Sequence, residues 1–122
     1  MKVEISIGEV LDKISILSIK LNKIKDQEKL KNIQKEFSFI SAIVKQSIFA
    51  DPLYFELCKV NQKLWIVEDE LREHEKINNF NEDFINLARS VYVLNDKRAA
   101  IKKEINIAYG SELIEEKSYN NN

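Results

Sequence analysis

The sequence predicts an all-α protein, an antiparallel up-down bundle of about four helices built from two helical hairpins, and three observations carry that prediction. Glycine and proline together contribute three of the 122 residues, too few for the turns of a β architecture. Apolar side chains recur at three- and four-residue spacing along most of the chain, which is the period of a helix face. Helix start signals stand where that spacing breaks. A chain of this length has room for one core, so residues 1–122 are read as a single helical domain, with an extended arm at 1–6 and a frayed tail at 118–122.

Ser6-Ile7-Gly8-Glu9 has the form of a capping box, and Ile5 and Val10 are spaced as a hydrophobic staple, so the first helix starts at about residue 7. Its stripe runs through Ile7, Val10, Ile14, Leu17, Leu21 and Ile24, and Leu11, Ile16 and Ile19 widen it. A face that broad belongs to a helix at the centre of a bundle or under a second subunit, and it motivates the expectation of a homo-oligomer. After a break at Lys25-Asp26-Gln27, a second stripe joins Leu30, Ile33, Phe37, Ile40, Val44 and Ile48. Asp51-Pro52 restarts the chain as a helix, because aspartate accepts from free first-turn amides and proline at the first helical position has no N–H to lose. The third helix carries Leu53, Leu57, Val60, Leu64, Val67 and Leu71 and fades at Lys76-Asn79. Phe80-Asn81 then offers a staple and cap for a fourth, on Phe84, Leu87, Val91, Leu94, Ile101, Ile105 and Ala108, with Gly110 as its stop. Short connections make neighbouring helices antiparallel.

The 19 basic and 20 acidic residues leave a net charge of −1, so no overall field draws the chain to nucleic acid or an anionic membrane, and neither is expected as a partner. One cysteine, Cys58, and one histidine, His74, supply neither a disulfide framework nor a zinc ligand set. The expected compartment is the cytoplasm, given that lone cysteine and the lack of a continuous apolar run of membrane-spanning or leader type. Lysine outnumbers arginine 16 to 3, with 17 isoleucines and 12 asparagines, a skew that AT-rich coding explains. The three arginines nevertheless fall in one stretch, where only arginine supplies a planar multi-donor fork.

The candidate site follows from register. Continuing the spacing of the fourth helix from Leu94 lands on Arg98 before returning to Ile101, so a guanidinium stands where a core leucine belongs. Burying it unpaired is very costly, so it must meet a carboxylate, a carbonyl or an anionic ligand. Asn61, Trp65, Glu68 and Arg72 share one face of the third helix. Folding the hairpin places Glu68 and Asp69 level with Arg89, and Asn61 level with Asn95 to Arg98. A polar network follows from Asn61, Trp65, Glu68, Asp69, Arg72, Arg89, Asn95 and Arg98, either fixing the hairpin register or holding an anionic ligand. Trp65, the only tryptophan, is more often a packing anchor than a stacking platform. Glu9 and Asp12 lie at i and i+3 with Lys13 beside them, a pair able to help hold Mg²⁺ if other helices bring oxygens, although Glu-x-x-Asp is common on solvated helix faces and charged first turns suit the helix dipole. Cys58 reads as a small buried hydrophobe and His74 as part of a solvated helix end.

Taken together, Gly8-Glu9-Val10-Leu11-Asp12-Lys13-Ile14, Asn61-x-x-Leu64-Trp65-x-x-Glu68-Asp69-x-x-Arg72, Ala88-Arg89-Ser90-Val91-Tyr92, Asn95-Asp96-x-Arg98-Ala99 and Glu115-Glu116-Lys117-Ser118-Tyr119 resemble a small bacterial and phage family of unknown function. The resemblance spans nearly the whole chain. It implies that the polar positions belong to the family pattern together with the core ones, and it carries a loose association with surface-glycan genes. Two functions remain open on this reading. One is a non-catalytic binding or assembly module for a partner protein or anionic small molecule in surface-glycan metabolism. The other is a Mg²⁺-dependent phosphohydrolase acting on a nucleotide or nucleotide-sugar, which requires Glu9, Asp12, Glu68, Asp69 and Asp96 to converge.

Overall fold

A computed structural model describes the backbone of residues 5–118 and the side chains of residues 5–109. Within that span the protein is all-helical, with four α-helices packed against one another and no strand among the described residues: α1 (Ile7–Lys23), α2 (Gln27–Ser41), α3 (Pro52–Lys76) and α4 (Glu82–Ser118). Most of the expected arm and tail, at 1–4 and 119–122, lies outside the described residues.

The helix starts follow their caps. Ser6 Oγ accepts from the Glu9 amide at 3.2 Å and opens α1, although Ile5, the expected staple, stays 44% exposed. Asp26 Oδ1 accepts from the Glu28 and Lys29 amides at 3.0 and 3.2 Å and opens α2. Asp51 Oδ1 accepts from Leu53 at 2.8 Å ahead of Pro52, and Asn81 Oδ1 accepts from Phe84 at 3.1 Å. Between α3 and α4 the chain turns through a paired-amide stop. Asn78 takes a φ of 53°, while the Asn79 and Asn78 amides return to the carbonyls of His74 and Glu75 at 2.9 and 3.2 Å. Asparagine tolerates that left-handed conformation better than most residues, and the two bonds satisfy carbonyls the helix leaves free.

Two boundaries differ from the sequence expectation. The stripe assigned to a single second helix ends at Ser41, and Ile48 reaches the core from a 3-10 turn, Gln46–Ala50, packed on α3. Its spacing fits a helix, but an irregular segment brings it to the core at 4% exposure. Gly110 does not stop α4, which continues to Ser118. Glycine permits a left-handed stop without forcing one, and in a helix interior it costs about 1 kcal/mol relative to alanine.

The α3–α4 hairpin is the most extensive helix pair, and α1 lies in its groove, antiparallel to α4. Helix α2 packs chiefly on α1 and has no fully buried residue. The core is therefore made by α1, α3, α4 and the 3-10 turn, centred on Leu11, Ile14 and Leu17 of α1 with Leu57 and Ile105. Burial of Leu11 and Ile19, at 1% and 5% exposure, takes place inside one chain. The broad face of α1 thus reflects a central helix, and it no longer argues for a second subunit.

Candidate functional site

The centre of the polar site is Asp12, one turn into α1, whose residue is only 5% exposed. Its carboxylate meets both other core helices. From α4, Arg98 donates through Nε to Oδ1 at 2.8 Å and through Nη2 to Oδ2 at 2.5 Å, the two-pronged match that a guanidinium makes with a carboxylate. From α3, Asn61 Nδ2 donates to Asp12 Oδ1 at 2.9 Å and to Ser15 Oγ at 2.7 Å, while Ser15 Oγ donates to the Asp12 carbonyl at 2.8 Å. Every buried side-chain nitrogen and oxygen among the described residues has a partner, so the low dielectric strengthens this network instead of penalising it.

Burial pushes the Asp12 carboxyl up, but hydrogen bonds from Arg98 and Asn61, together with the charge of Arg98, outweigh it and hold the group below its usual value. The hydrogen bond to Asp12 raises Arg98 in turn, against partial burial. Both shifts favour the charged forms, so the two groups face each other as an ion pair.

The same seam continues toward the start of α1. Lys102 pairs with Glu9, and Asn106 Oδ1 accepts from the Gly8 amide at 2.8 Å, satisfying a donor that the first turn of α1 leaves free. Gly8 marks a close approach of the two helices. A Cβ there would lie 2.7 Å from the Lys102 carbonyl oxygen and 2.9 Å from Asn106 Oδ1. Arg98, Lys102 and Asn106 recur every four residues on one face of α4, and that period was the signal by which Lys102 and Asn106 could have been found.

The remaining sequence candidates do not gather at this point. Arg72 pairs within α3, with Asp69 at 3.0 Å and Glu68 at 3.8 Å, on an exposed surface. Arg89 is exposed and makes no ion pair among the described residues, so the expected match with Glu68 and Asp69 does not form. Each acid already has a cation one turn away on its own helix. Asn95 sits exposed at the rim, its Oδ1 3.5 Å from Arg98 Nη1, and Trp65 is half-buried beside Ile19 in a groove between α1 and α3. Among the described residues no three His, Cys, Asp or Glu side chains stand close enough to hold a metal ion. Cys58 is half-buried and burial pushes its thiol up, consistent with a packing role. His74 contacts the Asn79 carbonyl at 2.8 Å, within the paired-amide stop.

Fold and site together define a small all-helical protein whose three core helices are pinned by one buried acid, one arginine and one amide. The chain matches over residues 1–122 the model of a family described as a family of unknown function (DUF6165), and it belongs to that family. No curated protein and no solved structure matches it. Among the described residues, no helix is long and apolar enough to cross a membrane.

Proposed function

We propose that the protein is a non-catalytic helical binding or assembly module working in the cytoplasm. The observation that carries this reading is the engagement of its carboxylates. Asp12 faces Arg98 and Asn61, Glu9 faces Lys102, and Glu68 and Asp69 face Arg72. A phosphohydrolase of the kind weighed from the sequence needs several of these groups turned to one ion. Arg98, the strongest anion-binding candidate in the sequence, is neutralised by Asp12. Its arrangement serves to fix α1 against α3 and α4, and partners are left to the outer surface. Self-association belongs to the same proposal, through exposed apolar residues such as Tyr92 and Ile107 of α4 and not through α1.

The test is a phosphate-release assay on nucleotides and nucleotide-sugars with Mg²⁺, run beside thermal shift with the same compounds. The module reading expects no turnover, and stabilisation by a bound compound or partner. Mg²⁺-dependent turnover that Asp12→Asn abolishes while the helical signal persists would overturn it.

A further inference from the structure

Arg72 and Arg98 are already paired with acids, and one surface groove is lined by three cations from two helices. Lys59 and Lys63 lie one turn apart on α3, and Lys97 faces them from α4 across a groove of about 330 Å³. None of the three is in an ion pair among the described residues, which is true of most of the chain's lysines; what sets them apart is that two helices bring them to one groove. Lys59 has a neutral neighbour instead, its Nζ 5.5 Å from the centre of the Phe55 ring. Like charges at i and i+4 on a helix repel, so the arrangement is destabilising until something negative sits between them. The floor is apolar, formed by Val60 and Ile101 at 8% and 7% exposure. A single acid, Glu56, is among the lining residues.

We infer that this α3–α4 groove binds the diphosphate group of a small molecule, with Lys59, Lys63 and Lys97 around the phosphates and the remainder of the ligand on the apolar floor. Diphosphate suits it because two adjacent phosphates can engage three separated ammonium groups at once, and ammonium groups bind phosphate as mobile point charges. The inference rests on the reading of the chain as a binding module and names its ligand class.

The experiment titrates the full chain with inorganic pyrophosphate and with adenosine diphosphate, followed by calorimetry. Two triple variants of equal charge change are compared, Lys59→Gln/Lys63→Gln/Lys97→Gln in the groove and Lys29→Gln/Lys31→Gln/Lys35→Gln on α2. The groove variant should bind about tenfold or more weakly than wild type, the α2 variant should match wild type, and Glu56→Gln should bind more tightly because a repelling charge is gone. Tighter binding of the nucleotide than of pyrophosphate assigns the floor to the organic part, and equal binding assigns the site to the diphosphate alone. No saturation of wild type by either ligand below about 5 mM, or equal losses in the two triple variants, overturns the inference. Mg²⁺-dependent hydrolysis of the nucleotide would overturn the module reading instead, and the two failures are thereby told apart.

Discussion

Arg98 and Asp12 are 86 residues apart in sequence and share two hydrogen bonds, at 2.8 and 2.5 Å, across the centre of the bundle. The acid is almost fully enclosed, whereas the arginine side chain keeps 27% of its surface exposed. That asymmetry decides what each substitution does.

Arg98→Leu leaves a buried carboxylate without its counter-charge and should cost about 2–4 kcal/mol, at the lower side of the range for breaking a buried pair because the arginine is partly solvated. Replacing Asp12 with leucine as well removes the stranded charge, so the double variant should lose less than the sum of the two single losses. Urea unfolding of the four proteins in a double-mutant cycle measures the coupling, expected at about 1–3 kcal/mol. A stable Arg98→Leu protein would mean that the pair does not hold the helices together.

Stability should also depend on pH through Asp12. Its folded-state value lies below the unfolded reference of 3.8, so the unfolded chain binds the proton more readily in that region. The contribution is therefore fully present well above 3.8 and is lost as pH falls through the depressed folded-state value. Asp51 is lowered too, mainly by its hydrogen bond with Tyr109, and adds a slope of the same sign. Subtracting the acid limb of Asp12→Asn from that of wild type, in unfolding curves between about pH 2 and 6, isolates the buried pair.

Gly8→Ala should destabilise, although alanine is the better helix former by about 1 kcal/mol. The added methyl would meet a backbone oxygen of α4 at 2.7 Å, and backbone moves only if the helices separate. A net loss of about 1–3 kcal/mol is expected in thermal unfolding. A gain in Tm would show that α1 and α4 do not approach as described.

Asp51 is used twice, as the cap of α3 through Oδ1 and as the partner of the Tyr109 hydroxyl through Oδ2. Asp51→Ala should cost about 1–2 kcal/mol and Tyr109→Phe about 1 kcal/mol. Combining them should cost little more than Asp51→Ala alone, because the tyrosine bond is already lost with the acid. Additive losses by chemical denaturation would separate the two roles.

Local signals made much of the fold legible. Ser6, Asp51 and Asn81 announce helices by side-chain chemistry that acts over three residues, and Arg98 stands out because one guanidinium interrupts an apolar seam. Its partner was much harder to see. Asp12 looks like any first-turn acid suited to the helix dipole, and only the antiparallel packing of α1 on α4 gives it a different environment. The end of α2 was hidden for a related reason, since Ile48 keeps helical spacing while entering the core from a 3-10 turn. The three-lysine groove has no period that marks it, because Lys97 joins Lys59 and Lys63 only through the hairpin.

The order of the helices has a consequence for synthesis. The first helix made, α1, meets its α4 partners only when Arg98 and Asn106 have been synthesised, roughly 4–17 s later at about 5–20 residues per second. Through that interval its apolar surface has first the adjoining α2, which buries nothing completely in the finished molecule, and then α3, which reaches it through Asn61, but not the α4 side of the core. Helices α2 and α3 thus cover the nascent α1 until α4 arrives, and ribosomes stalled before residue 98 should display an incomplete bundle that chaperones recognise and that lacks the protection of the completed core.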